Sequence, residues 1–210
     1  AEEILVPDFA HVCRKMLPAN TRCCLVFEGD GRSSSGFAIT LARKGRGTFR
    51  IRVAGRGAHA GSHHKEGANA IREIARVIEE AERLTDNDRQ VTVNVGSIRG
   101  GSEVNRVPHE AEARLEVRAF EERHYAAIRE SLLSMGGAGK IKAQSDGFPC
   151  QIEVVVEDEI APWSPNEGSE QLAAIWKQAA ADCGYDIDFE MRGGLSDGNG
   201  TWRQFPTLDG

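Results

Sequence analysis

Two stretches of this chain alternate apolar and polar residues at every second position. From Glu110 to Arg118, Ala111, Ala113, Leu115 and Val117 take one face, and Glu110, Glu112, Arg114, Glu116 and Arg118 take the other. From Thr48 to Ala54, Phe49, Ile51 and Val53 alternate with Arg50 and Arg52. A period of two belongs to a strand with one buried face, so both segments are predicted as strands. Val91 to Ile98 repeats the pattern, with Val91, Val93 and Val95 set against Thr92 and Asn94, and Gln151 to Val156 reads as a further strand. Between them the period changes: Ala70, Ile71, Ile74, Val77, Ile78 and Ala81 recur at helical spacing and predict a helix over Glu66–Leu84. A second helix is predicted over Glu121–Met135, closed by Gly136-Gly137. The order β-α-β-β-α-β predicts a ferredoxin-like sandwich, an antiparallel sheet with two helices on one face.

The flanks have a different character. Asp8–Leu17 reads as a short helix between Pro7 and Pro18, Arg22–Phe27 as an apolar strand with Glu28 at its carboxyl end, and Phe37–Ala42 as another strand. After Pro162 and Pro165 come a helix over Ser169–Cys183 with Leu172, Ile175, Trp176 and Ala179 on one stripe, a short strand Tyr185–Met191, a glycine-rich loop, and a final strand Phe205–Leu208. Residues 1–43 and 160–210 therefore read as two parts of one α/β unit, with residues 44–159 inserted between them.

Composition narrows the class. A net charge of −6 without a Lys/Arg cluster argues against a general nucleic-acid binder. No apolar run approaches the ~20 residues of a membrane helix. Nothing at Ala1 resembles a signal peptide, which says little about export because the natural start can lie upstream, and a cytoplasmic place is the expectation. The 5 cysteines are scattered, and none form Cys-x-x-Cys, which excludes a zinc ribbon and points to reduced thiols. Of the adjacent Cys23 and Cys24, at least one is expected in the core.

Candidate chemistry gathers first between strand and helix, at Arg56 to Ile71. Gly55, Gly57 and Gly61 let the chain bend there, and the bend carries His59, His63 and His64. His63 and His64 read as a solvated polar loop. His59-x-x-x-His63 has ligand-like spacing, but that brings two ligands together only on a helix, and the glycines oppose helix at His59. Glu28, at the carboxyl end of a strand, is where open α/β sheets bind ligands. Glu2 and Glu3 are an adjacent acidic pair. Carboxylates and imidazoles together suit a divalent metal such as zinc. Arg118 on the polar face of its strand reads either as a cross-strand partner of glutamate or as an anion clasp. The loop Gly193 to Gly200 contains neither Gly-Lys-Ser/Thr nor Gly-x-Gly-x-x-Gly, which argues against a nucleotide site.

Four of these stretches together resemble the co-catalytic dinuclear zinc aminoacylase and glutamate carboxypeptidase family. They are Ala-His-Ala-Gly followed by Glu-Gly-Ala-Asn-Ala-Ile, the run from Asn105-Arg106-Val107-Pro108 to Arg118, Gly-Gly-Leu-Ser-Asp at Gly193, and Phe-Pro-Thr-Leu-Asp-Gly at Phe205. The resemblance implies a partial catalytic α/β domain with an inserted ferredoxin-like βαββαβ lid that dimerises. It implies hydrolysis of the amide bond of an N-acyl amino acid or a small peptide with a free carboxylate, with two zinc ions per site. On the family pattern Glu2 is the general base, Glu3 and Glu28 are metal ligands, and His59 reaches the substrate across a homodimer interface. Arg118 then clasps the substrate carboxylate, with Asn105 assisting and the Gly193–Gly194 backbone lining the site. Where the family has Asp before the two glutamates, this chain has Ala1. The family's His-x-Asp pair, bridging aspartate and final histidine have no match here, so by itself the chain is expected to be inactive. The alternative is a module that only dimerises and grips substrate.

Overall fold

The computed structural model describes residues 9–18, 20–27, 32–33 and 36–210. Glu2, Glu3 and Glu28 lie outside the described residues. The chain forms two compact units. A discontinuous one holds Ala1–Arg46, Phe120–Glu122 and Ile160–Gly210, and an inserted one holds Gly47–Ala119 and Arg123–Glu159. In chain order the elements begin with α1 (Phe9–Met16), β1 (Cys24–Val26), β2 (Arg32–Ser33) and β3 (Gly36–Arg43). Next come β4 (Gly45–Ala54), β5 (Ala58–His59), a 3-10 turn (His64–Glu66), α2 (Ala70–Glu82), β6 (Thr92–Gly100), β7 (Arg106–Val107) and β8 (Glu110–Ala119). Then follow α3 (Glu122–Ser134), β9 (Gly137–Lys142), β10 (Pro149–Ile160), α4 (Glu167–Asp182), β11 (Ile187–Arg192), α5 (Gly198–Thr201) and β12 (Thr207–Asp209).

The inserted unit is the ferredoxin-like sandwich. Its sheet runs β6-β8-β4-β10-β9, so the four strands expected from alternation stand together and β9 is added at one edge. The inward residues of the strands, Phe49, Ile51, Val53, Leu115 and Val117, share one buried cluster with Ile74 and Val77 of α2 and Leu132 of α3. Both helices therefore cover the same face. Burying Ile74 and Val77 contributes about 1.5–3 kcal/mol each. The helix expected from Glu66 starts later. Asn69 is extended, and its side chain accepts the Arg72 N–H at 2.9 Å, which caps a helix beginning at Ala70. Glu66 belongs to the 3-10 turn instead.

The opposite face of the sheet is a polar lattice. Glu112 accepts from Arg52 at 2.9 Å and from Arg99 of the neighbouring strand at 2.5 Å. The Arg52 bond, then that of Arg99, pulls the Glu112 carboxyl down to about 2. These are cross-strand pairs of the kind that stabilise an open sheet face.

Glu73 is the exception on the helical side. It is completely buried among the core residues of α2. One carboxylate oxygen accepts from Arg76 at 2.8 Å, and the other accepts the Ile141 N–H of β9 at 2.5 Å. A buried charge is tolerable only when paired and hydrogen-bonded. Here the pairing also fastens α2 to the added edge strand.

In the discontinuous unit the sheet order is β1-β12-β3-β11, with β2 beside β3. β1 and β12 are parallel, β3 and β11 are parallel, and β12 meets β3 antiparallel. α4 opens on a capping box, in which Asn166 accepts the Ser169 N–H at 3.0 Å and the Ser169 hydroxyl accepts the Asn166 N–H at 2.9 Å. The core here is smaller, with Ile39, Ala173, Ile187 and Leu208 buried and Leu25 and Trp176 against them. Cys23 and Cys24 are both half-buried, so neither is the core thiol expected of that pair: β1 is only three residues long and buries none of them completely. Arg43 and Trp163 exchange two backbone hydrogen bonds, of 3.1 and 3.0 Å, where the chain leaves and re-enters this unit. The Trp163 ring is fully buried against Gly198, where a Cβ would come within 2.4 Å of it. That approach requires glycine.

Candidate functional site

The strand–loop–helix carrying His59 is built by pairing on two sides. On one side β5 pairs antiparallel with β7, setting His59 opposite Arg106 and Ala58 opposite Val107. The Ala60 N–H then donates to the Asn105 carbonyl at 2.8 Å. On the other side the Ser145 N–H donates to the Lys65 carbonyl at 3.0 Å, which ties the loop to the turn between β9 and β10. Arg56 and Ala68 close the base of the loop with two backbone hydrogen bonds, of 3.0 and 2.9 Å.

His59 is exposed. Its Nδ1 accepts the backbone N–H groups of Gly61 and Ser62, both at 3.2 Å. With Nδ1 occupied as an acceptor, the neutral ring carries its proton on Nε2, which the bonding pattern assigns. The ring is thereby set as a hydrogen-bond donor at its free nitrogen. His63 is engaged differently, with its Nδ1 at 2.8 Å from the Ser62 hydroxyl.

Arg56 holds the same loop from behind. Its Nε donates to the Glu66 carbonyl at 2.5 Å, and its two terminal nitrogens donate to the two oxygens of Asp146, each at 2.7 Å. The guanidinium also lies 4.8 Å from the centre of the Phe148 ring. The Arg56 bonds, with the Phe148 N–H in second place, hold the Asp146 carboxyl at about 2, well below the ordinary 3.8. The order that this pair lends is therefore complete above the ordinary value and is lost as pH falls through about 2. A carbon NMR titration of the Asp146 carboxyl should show its midpoint near 2; a midpoint near 3.8 would contradict the bidentate pair.

The structure groups the candidate residues selectively. His59 and Asn105 stand together at one end of the inserted unit, joined through β5 and β7. Arg118 stands at the other end of β8, opposite Thr92. From Glu110 to Arg118 the strand covers roughly 26 Å at about 3.3 Å per residue. Arg118 makes a bidentate contact to Glu116, with nitrogen–oxygen distances of 2.6 and 3.0 Å. Within one chain, then, Asn105 and Arg118 do not share a site.

Gly193 and Gly194 follow β11 in the discontinuous unit and are exposed. Their loop is shaped by a pair that sequence reasoning missed. Arg43 donates to Asp209 at 2.6 Å, with both side chains buried, and also to the carbonyls of Gly194 at 3.3 Å and Leu195 at 3.4 Å. Asp209 stands in the Phe-Pro-Thr-Leu-Asp-Gly stretch already singled out, which was the available signal. A cavity of about 350 Å³ lies beside α4, lined by Leu25, Ile39, Trp176, Tyr185 and Ile187 among others. It is almost wholly apolar, with Asp209 at its border, and none of the candidates among the described residues line it.

Among the described residues no three of His, Cys, Asp and Glu are placed to hold a metal ion. His59 commits Nδ1 to the backbone, and His63 faces a hydroxyl. The described residues therefore do not form a metal centre. Among the described residues no helix is long and apolar enough to cross a membrane.

Residues 41–135 match the peptidase dimerisation domain family. The matched segment is similar to a peptidase dimerisation domain. It contains the His59 loop, α2, β6, β7 and β8, so His59, Asn105 and Arg118 all belong to it. The sequence resemblance to metallopeptidases agrees with this assignment. The chain is 28% identical over 194 residues to the uncharacterised protein YqjE of Bacillus subtilis (strain 168), covering 89% of this chain and 47% of that protein. The fold is that of a Bacillus cereus aminopeptidase PepT, with a TM-score of 0.72 at 22% identity over 97% of this chain and 53% of that one. A tripeptidase from Staphylococcus aureus aligns with a TM-score of 0.68 at 22% identity, covering 82% of this chain and 44% of that one. An aminobenzoyl-glutamate utilization protein from Klebsiella pneumoniae aligns with a TM-score of 0.62 at 17% identity, over 88% of this chain and 49% of that one. The chain thus spans about half the length of the proteins it matches.

Proposed function

We propose that the whole protein is a hydrolase of the amide bond in an N-acyl amino acid or small peptide with a free carboxylate, and that this chain supplies its dimerising and substrate-holding parts. The match to a peptidase dimerisation domain, and the similarly folded tripeptidase, aminopeptidase and aminobenzoyl-glutamate utilization protein, support the substrate class. Zinc belongs to this proposal through the family resemblance, with Glu3 and Glu28 as its ligands and Glu2 as the general base.

The observation that carries the reading is the state of His59. It is exposed, its Nδ1 is satisfied by two backbone N–H groups, and its Nε2–H is free to donate. A fixed donor of this kind suits an oxyanion that develops in the transition state, and costs no reorganisation at that moment. The separation of His59 and Asn105 from Arg118 fits a site shared across a two-fold dimer. One subunit would contribute Arg118, with Gly193 and Gly194, to seat the carboxylate. Its partner would contribute His59 and Asn105. The edge strand β6 and α2 are the surfaces proposed to pair, giving an isologous homodimer.

The test uses the full-length protein and an N-acyl glutamate. His59→Ala should lower kcat by about 10²–10³ with little change in KM, because the lost bond forms in the transition state. Glu2→Gln should abolish turnover. Mixing the two variants should restore activity to about a quarter of wild type, since half the dimers are mixed and each holds one intact site of two. If mixed dimers form and remain as inactive as their parents, His59 does not act across the interface and the shared site is wrong.

A further inference from the structure

The His59 loop carries its donor on an exposed turn, where such a group would ordinarily be loosely held. The Gly61 and Ser62 N–H groups orient its ring, but part of what holds the loop itself lies outside it. Asp146 lies 90 positions along the chain from Arg56, in the turn between β9 and β10. Nothing in the proposed chemistry uses that turn, yet it presents to the loop a carboxylate, an aromatic ring and a backbone N–H.

We propose that Arg56 is the positioning residue of His59, acting as a clasp that joins the His59 loop to the Asp146–Phe148 turn. This rests on the reading of His59 as a substrate-side donor. The guanidinium spends its fork on both oxygens of Asp146, its Nε on the Glu66 carbonyl, and its face on Phe148. Its own backbone closes the loop against Ala68. One residue therefore fixes the beginning of the loop through its main chain and the end of it through its side chain. Between those points lie Gly57, Gly61 and the N–H groups of Gly61 and Ser62 that orient the His59 ring. A rigid base keeps those N–H groups in place, and they set the tautomer and direction of the ring. Lysine cannot replace Arg56, because an ammonium cannot bond both Asp146 oxygens in a plane while reaching the Glu66 carbonyl.

The experiment uses the full-length protein with Arg56→Gln, Arg56→Lys and Asp146→Asn. Hydrogen exchange should show the amides of residues 57–67 exchanging about tenfold faster in Arg56→Gln, with the core strands β4 and β8 unchanged. Turnover of an N-acyl glutamate should fall about tenfold with KM nearly constant, and Asp146→Asn should give a smaller change in the same direction. Arg56→Lys should resemble Arg56→Gln. Adding Arg56→Gln to His59→Ala should cause no further loss of kcat, since a residue acting through His59 has nothing left to position. A purely structural role would give an additive loss instead, and that result would overturn the proposal. Unchanged exchange in the loop of a folded Arg56→Gln protein would also overturn it. If His59→Ala itself leaves kcat intact, the oxyanion reading fails together with any catalytic role for Arg56, while the exchange data still report whether the clasp exists.

Discussion

Glu73→Ala should destabilise the inserted unit by about 3 kcal/mol, measured as a lower urea midpoint at unchanged slope. Glu73 is fully buried and bonds both Arg76 and the Ile141 N–H. Removing it strands a backbone donor at the edge strand, unpairs part of a guanidinium, and opens space beside Cys150. That thiol is already pushed up to about 11 by burial and by the nearby Glu73 carboxylate. Glu73→Gln keeps the acceptor for Ile141 and should cost less than the alanine variant. A Glu73→Ala protein within about 0.5 kcal/mol of wild type would mean that β9 is held by β10 alone.

Gly55→Ala should be the most damaging change in the loop region, costing about 3 kcal/mol through overpacking and disordering the His59 turn. A Cβ on Gly55 would stand 2.1 Å from the Ala68 carbonyl oxygen and 3.2 Å from the Ala70 nitrogen. The obstacle is backbone on both counts, so no side chain can rotate away. The Gly55 N–H also donates to the His109 carbonyl at 2.7 Å, which limits how far the strand can retreat. The alanine variant should melt at least about 10 °C lower than wild type. An unchanged melting temperature would show that the loop yields freely, which would also weaken the case for a rigid His59.

β4, β8 and the first half of β6 were legible because each presents a face of alternation. β8 is the clearest, with its five apolar residues inward and its charges outward. β9 was not legible: Gly137-Ala138-Gly139-Lys140-Ile141-Lys142 has no such face, and its order comes from Glu73 and from pairing with β10. Glu73 itself left a trace. It falls three positions after Ala70 and four before Val77, on the buried stripe, where a charged residue requires a partner. The start of α2 was set by Asn69, whose capping role depends on an extended backbone that periodicity does not report.

The candidate site was legible as residue types and much less so as geometry. The glycines around His59 marked a loop, but the adjacency of His59 and Asn105 comes from a two-residue strand pairing too short to carry a pattern. The Arg56–Asp146 and Arg43–Asp209 pairs join residues far apart in sequence, and no local rule links them. Arg118 was placed correctly on a polar strand face. Its distance from Asn105 followed only once both were set on one straight strand and its leading turn.

The reciprocal bonds between Arg43 and Trp163 have a consequence for how the chain assembles. The discontinuous unit must bring together strands that the whole insert separates, and closing a flexible loop of that length carries a large entropic cost. The insert has its own core and can order first. Once ordered, it delivers its entry and exit segments side by side, and the long loop behaves as a short one. The inserted unit is then a folding template for the sheet whose strands flank it along the chain, as well as a carrier of His59.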